Sequence, residues 1–242
     1  MGNIYKIELI YNIEIPDYKV DNSRILGIDL GVNNFATLTN NIGLKPIVIN
    51  GKIIKSINQY YNKKRSELQS ELKKTNNQNW SNRLENFIRK RNNKISYLIH
   101  CMSKFTINYC LKNYITAIVI GNNQKWKQKV NIGNINNQNF INIPYEKYIN
   151  QLTYKGRRTG INVVVVEESY TSKASFIDND NMIGNNVFSG KRIFRGLYQS
   201  NNNILINADC NGSYNIIRKA FPKAFVDGIE GVHLHPVKIN VG

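Results

Sequence analysis

Three acidic positions, far apart in the chain, stand where short apolar runs give way to turns or to a helix, and carboxylates there suit metal chemistry. Asp29 lies in Gly27-Ile28-Asp29-Leu30-Gly31-Val32-Asn33-Asn34, and Glu167 and Glu168 follow Val163-Val164-Val165-Val166. Asp209 lies in Asn207-Ala208-Asp209-Cys210-Asn211-Gly212-Ser213-Tyr214. Carboxylates gathered from separate elements can hold two magnesium ions about 4 Å apart, one activating water and the other stabilising the leaving oxygen of a phosphodiester. The expected cofactors are therefore two Mg2+ ions, or Mn2+ in their place, held by Asp29, Asp209 and one of the two glutamates. Each carboxylate also has a plainer reading: Asp29 as a turn residue before Gly31, Asp209 as a helix N-cap accepting backbone N–H bonds.

The charge balance points the same way. Thirty-three Lys and Arg against 16 Asp and Glu give a formal net charge of +17, a field that favours a polyanion bound through its phosphates. Nucleic acid is the expected partner. Candidate contacts are Lys63, Lys64, Arg65, Arg89 and Arg91 in two basic helical stretches, Lys125 and Lys127 after an apolar run, and Lys191, Arg192 and Arg195 further on. Ordinary solvation of a charged helix face is the competing reading. The abundance of Asn, Ile, Lys and Tyr is spread over the whole chain and reads as compositional bias rather than as a binding device. Three cysteines, Cys101, Cys110 and Cys210, form no Cys-x-x-Cys pair, so reduced thiols and no zinc site are expected. No apolar run reaches membrane-spanning length and the first residues lack a signal peptide's apolar core, which implies a cytoplasmic chain with no membrane partner.

The elements that must position the acids follow from periodicity. Arg24 to Leu30, Phe35 to Thr39 and Lys45 to Ile49 are short strands separated by Gly/Asn turns, a three-stranded antiparallel meander. Apolar residues at Ile57, Tyr61, Leu68 and Leu72 predict a first helix, and Leu84, Phe87, Ile88, Ile95, Leu98, Ile99, Met102 and Phe105 predict a second from about Asn82 to Lys112. Thr116 to Ile120 and Val163 to Val166 read as strands buried on both sides. Pro144 to Gly160 is a helix between them, and a last helix runs from Asp209 to about Phe221, stopped by Pro222. This order is that of a ribonuclease-H-like α/β fold with a mixed sheet and a long helical insertion at about 56–113. It sets Asp29 on a central strand near the carboxyl ends of the parallel strands, where open α/β sheets keep their sites.

The segments Gly27 to Thr37, Asn58 to Arg65, Asn137-Gln138-Asn139-Phe140, Glu168-Ser169-Tyr170-Thr171-Ser172-Lys173 and Ile206 to Lys219 together resemble the TnpB, or OrfB, proteins of insertion sequences. The resemblance runs from about Ile25 to the C-terminus. It implies a RuvC-like nuclease domain and the activity of characterised members, a family of transposases by name whose members act as RNA-guided DNA endonucleases, with a guide RNA as a second partner. Much of the family carries its middle catalytic Glu directly after the strand equivalent to Thr116 to Ile120, where this chain has Gly121. Some branches use a Glu just before the Thr-Ser pair instead, and Glu168 stands there, so the resemblance assigns the catalytic and metal-binding set to Asp29, Glu168 and Asp209. Glu167 is the alternative to Glu168, facing the opposite way if the strand persists. Many relatives have a Cys-based zinc ribbon after that pair, whereas the insert here, at about 173–205, has none before Cys210; packing of Phe176, Ile177, Phe188 and Ile193 is expected to hold it. Residues 1–23 form a short N-terminal remnant in place of the family's recognition and wedge region. The expectation is thus a nuclease half from residue 24 to 242, truncated or complemented by a separately encoded N-terminal region. A catalytically inactive nucleic-acid-binding remnant or regulator is the alternative function, and a nuclease acting on recombination junctions a third.

Overall fold

The structure, a computed structural model, describes residues 7–12, 14–15, 21–122, 143–183, 187–226, 228 and 231–242. Its centre is a six-stranded mixed sheet in the order β5-β4-β1-β2-β3-β9. Strands β1 (Ile25–Leu30), β2 (Asn34–Asn40) and β3 (Ile47–Asn50) form the antiparallel meander read from the turns. Parallel to β1 runs β4 (Ala117–Gly121), and parallel to β4 runs β5 (Asn162–Val166). The far edge is closed by β9 (Val237–Ile239), parallel to β3. Among the described residues the helices are α1 (Lys52–Asn76), α2 (Asn82–Lys112), α3 (Tyr145–Thr159) and α4 (Ala208–Ala220).

Alternation along the strands decides what each face of the sheet carries. Leu26, Ile28 and Leu30 of β1 and Ile118 and Ile120 of β4 join a core with residues of α2 and α3, among them Ile99, Met102, Tyr148 and Leu152. Ile25, Ala117 and Val119 turn the other way into a second core with Tyr214, Ile216 and Ile217 of α4. Asp29 shares the parity of Ile25 and Gly121 that of Val119, so both belong to the α4 face. Close docking of α4 needs a glycine on β1: a Cβ on Gly27 would stand 2.6 Å from the Ser213 carbonyl oxygen and 2.6 Å from Ile217 Cγ1.

The caps explain where the helices begin and end. The Ser81 hydroxyl accepts from Leu84 N and starts α2, and Gly160, at φ 76°, closes α3 in the left-handed conformation. Asn207 caps α4, its side chain accepting from Asp209 N and Cys210 N at 3.0 and 3.1 Å. Asp209 therefore sits inside the first turn, and its carboxylate is not the cap. Of the expected stripe on α2, Leu84, Ile95, Leu98, Ile99 and Met102 are buried, whereas Phe87 stacks on Tyr61 of α1 and Phe105 is partly buried.

The insert before α4 holds a small antiparallel sheet, β6 (Lys191–Phe194), β7 (Leu197–Gln199) and β8 (Leu205–Asn207), in the order β6-β7-β8. Phe176 anchors it, stacked on Tyr214 with centroids 4.7 Å apart and edge-on to Phe225 at 4.9 Å. Ile177 packs partly buried beside it, and Phe188 meets Tyr170 at 6.2 Å. Ile193 does not pack as expected: β6 is an edge strand and all four of its residues are exposed. Polar staples supply the rest. The Asp180 carboxylate accepts from Ser175 N at 2.7 Å and from Ser189 N and Oγ at 3.0 and 2.6 Å. Asn211 and Asn215 of α4 donate to backbone carbonyls of Ala174 and Thr171.

Among the described residues no helix is long and apolar enough to cross a membrane. The contact at Gly27 makes the fold sensitive to one atom group. Gly27→Val should destabilise the chain by about 1–3 kcal/mol or more through overpacking, read as a lower urea midpoint, and an unchanged midpoint would show that α4 does not lie on β1 as described.

Candidate metal centre and its surroundings

The α4 face of the sheet brings the three sequence-selected acids together. A Cβ on Gly212 would stand 3.0 Å from Asp29 Oδ2, so the first turns of α4 lie against the Asp29 carboxyl. Asp209, three residues before Gly212, shares its helix face. On the other side, a Cβ on Gly121 would stand 3.1 Å from Glu168 Oε2, which puts the Glu168 carboxyl over the end of β4. The β1–β4 register runs from Ile25↔Ala117 to Ile28↔Ile120, and one further step sets Asp29 beside Gly121. Glu168 is half-buried, whereas Glu167 is exposed. Val166 packs toward the α4 core, and Glu168 keeps that parity two residues on.

Electrostatics record the clustering. Burial pushes the Asp29 carboxyl well above its ordinary range, and the negative charges of Glu168 and Asp209 push it further, with Arg192 pulling the other way. Burial also raises Glu168, to about 7, against the opposing charge of Lys219. Lys219 is itself fixed, donating to the carbonyl oxygen of Ser169 at 3.1 Å and to its Oγ at 2.7 Å. The Asp209 carboxylate accepts from Asn34 Nδ2 at 2.6 Å. Tyr145, whose hydroxyl donates to the Gly31 carbonyl at 2.9 Å, is raised by burial and by Asp29 and Glu168.

All three candidate ligands are hard carboxylate oxygens, the donor type that Mg2+ and Mn2+ take, and a cation is what would relieve the charge crowding at Asp29. Among the described residues, however, no group of three or more His, Cys, Asp or Glu side chains is gathered tightly enough to hold one metal ion as placed. By donor type alone, the three carboxylates are of the kind that divalent cations take.

The basic residues divide. Lys63, Lys64 and Arg65 are exposed on α1, with Lys64 paired to Glu67 at 2.6 Å, and Arg89 is exposed on α2, donating to Asn86. Arg91 is committed to the helix pair: it donates to Asn58 Oδ1 from Nε at 3.0 Å and from Nη2 at 2.5 Å, and its guanidinium lies 5.2 Å from the Tyr61 ring centroid. Lys191, Arg192 and Arg195 are exposed on and after β6. Lys191 and Arg192 line a cleft with Lys173, Ser172, Phe188 and Tyr198. Lys125, Lys127 and Asn137 to Phe140 lie outside the described residues. Sequence reasoning missed Asn34, Lys219 and Tyr145 because their parts depend on register and docking. The one signal for them was that Asn34 and Lys219 fall inside the motif segments that carry the family resemblance.

A meander followed by two parallel strands, with Asp29 and Glu168 on the face crossed by α4 and Asp209 on that helix, has the ribonuclease-H-like fold of the RuvC-like type. Residues 8–127 match the OrfB_IS605 family, described as a probable transposase, and residues 145–216 match the Cas12f1-like TNB domain. Over residues 8–127 the chain is similar to the OrfB proteins of insertion sequences, and the match begins upstream of Ile25. No curated protein sequence matches it. In fold it is similar to a chain of the cryo-EM Cas12f1-sgRNA-target DNA complex, with a TM-score of 0.61 and 21% identity over 86% of this chain and 52% of that one. It is also similar to a chain of the CRISPR-Cas12f ternary complex, with a TM-score of 0.55 and 20% identity over 85% of this chain and 40% of that one. The chain thus spans about half the length, or less, of these relatives.

The raised carboxyls make stability depend on pH. Folding lifts Glu168 from 4.5 to about 7, so the folded chain keeps a proton that the unfolded chain releases. The associated stability is complete below pH about 4.5 and drains away as pH rises through about 7; Asp29 acts in the same direction. In EDTA the melting temperature should fall across that window, and Glu168→Gln should flatten the fall. Equal slopes in the two proteins would remove Glu168 from the buried cluster.

Proposed function

We propose that this chain is the nuclease module of an OrfB-type, RNA-guided DNA endonuclease, with Asp29, Glu168 and Asp209 as ligands for two Mg2+ ions, or Mn2+. The observation that carries the reading is the convergence of three acids from β1, the end of β5 and α4 on one face of the sheet, close enough that two of them raise the third. Divalent cations bound there supply Lewis acidity toward a phosphodiester and activation of water. The chain's own residues hold and orient that set: Asn34 fixes one oxygen of Asp209, Lys219 ties down the turn after Glu168, and Tyr145 holds the Gly31 carbonyl beside Asp29. Arg192, close enough to act on Asp29, is suited to meet a phosphate at the rim, with Lys191 and Arg195 beside it. Lys63, Lys64, Arg65 and Arg89 offer a second basic surface.

A structural relative captured with sgRNA and target DNA supports RNA and DNA as the partners, and the net charge of +17 supports binding through phosphates. Among the described residues no group of three acids is placed to hold one metal ion, which favours a second reading, a nucleic-acid-binding relative that does not cut.

Two measurements separate these readings. Binding of a labelled oligonucleotide should weaken steeply with salt, because each neutralised phosphate releases counterions, and a flat salt response would remove polyanions as partners under either reading. For the reaction, the chain co-expressed with its flanking genomic RNA should cut target DNA with Mg2+. Glu168→Gln should lower cutting by more than the 10–100-fold typical of changes to groups behind a metal ligand, while Glu167→Gln stays within about twofold of wild type, its side chain being exposed. Salt-sensitive binding without Mg2+-dependent cutting would favour the non-catalytic reading for the chain on its own.

A further inference from the structure

Asp209 is held by a relay that ends on a different edge of the sheet. With Asn207 serving as the cap, the Asp209 carboxylate takes no part in starting α4. Its Oδ2 accepts from Asn34 Nδ2 at 2.6 Å, and Asn34 Oδ1 in turn accepts from Lys238 Nζ at 3.2 Å. An ammonium group can only donate and an ionised carboxylate can only accept, so the two ends dictate which way the amide between them faces. Asparagine offers both an acceptor and donors on a short stem, which is what joining these ends requires.

Strand register delivers the lysine. Asp29 pairs with Thr37, Thr37 with Val48 and Val48 with Lys238, so one transverse row runs across β1, β2, β3 and β9. Directly paired residues share a face, and the neighbours Ile47, Ile49 and Ile239 pack on the opposite one. Lys238 thus emerges on the face that carries Asp29 and α4. Strands are spaced about 4.8 Å apart, so three steps separate Lys238 from Asp29 by roughly 14 Å at the backbone, and the long lysine stem spans the remaining distance to Asn34.

We propose that Asn34 and Lys238 are positioning residues that hold one oxygen of Asp209 and leave the other aimed at the cation site, which makes β9 part of that site. A lysine bonded directly to Asp209 would compete with a cation for the carboxylate; the intervening amide passes on orientation and leaves an oxygen free. Partners behind a metal ligand commonly govern affinity in this way. The inference rests on the metal-binding reading given above.

The test is Mn2+ titration of the full chain, followed by the electron paramagnetic resonance of free Mn2+, with melting in EDTA as a control for folding. Asn34→Leu should weaken Mn2+ binding by about 10–100-fold. Lys238→Ala should weaken it in the same direction by a smaller factor, and Lys238→Arg, which retains a donor, should recover most of the loss. Lys238 is exposed, so its variants should melt in EDTA as wild type does, a result that a merely structural role would not combine with lost Mn2+ affinity. Wild-type affinity in both Asn34→Leu and Lys238→Ala would overturn the relay while leaving the metal centre standing. A folded wild-type chain that binds no Mn2+ would overturn the metal centre and the relay with it.

Discussion

The docking of α4 across the central strand is the constraint on which the rest depends. From Ala208 to Ile217 every residue except Asp209 is buried, because the helix is pressed between the large sheet and the insert. One side, with Gly212, Ser213 and Ile217, faces the sheet, where Ser213 Oγ reaches Thr39 Oγ1 at 2.8 Å and the Thr37 carbonyl at 3.1 Å. The other side, with Asn211, Asn215 and Tyr214, grips the insert. A helix fixed on both sides cannot rotate or slide by a residue without stranding buried polar groups. The position of Asp209 relative to Asp29 is therefore settled by packing far larger than the site itself.

That rigidity sustains an electrostatic arrangement that would not assemble unaided. Carboxylates gathered between a helix and a sheet repel, and removing Asp29 and Glu168 from water favours their neutral forms. The fold answers with groups that orient or moderate the charges without forming close ion pairs: an amide on Asp209, a lysine on the turn after Glu168, and an arginine near Asp29. A close cationic partner on each acid would be better for stability and worse for any site that must accept a metal, the balance expected where function takes precedence over local stability.

Much of this was legible in the sequence because periodicity reports burial. The three meander strands, the two long basic helices, the strand-helix-strand unit and the closing helix all follow from apolar spacing and Gly/Pro punctuation, and the central place of β1 follows from their order. What escaped was short or polar. The strands β6 to β9 have three or four residues each, too few for alternation to show. Arg91 carried the same signal as Arg89, a positive charge on a basic helix, yet it is spent on Asn58 and Tyr61 because of where α2 crosses α1. Asp180 gave no signal either: its work of closing the insert consists of bonds to backbone N–H groups and a serine several residues away, which no spacing rule encodes.

Gly121 and Glu168 are best understood as one feature. The gap above Gly121 is bounded by Ile216, whose Cδ1 would lie 2.5 Å from a Cβ at that position, and by Glu168 Oε2 at 3.1 Å. A side chain on β4 there would occupy the space into which the Glu168 carboxyl leans. A side chain at position 121 would require Ile216 to shift and would crowd the Glu168 carboxyl. The strands are adjacent and parallel, with Gly121 paired to Val166, so moving the acid from one to the other shifts its origin by a single strand spacing, about 4.8 Å. Glutamate has the reach to cover that shift. A glycine at this position leaves room for the Glu168 carboxyl from the neighbouring strand, which is compatible with the proposed metal centre.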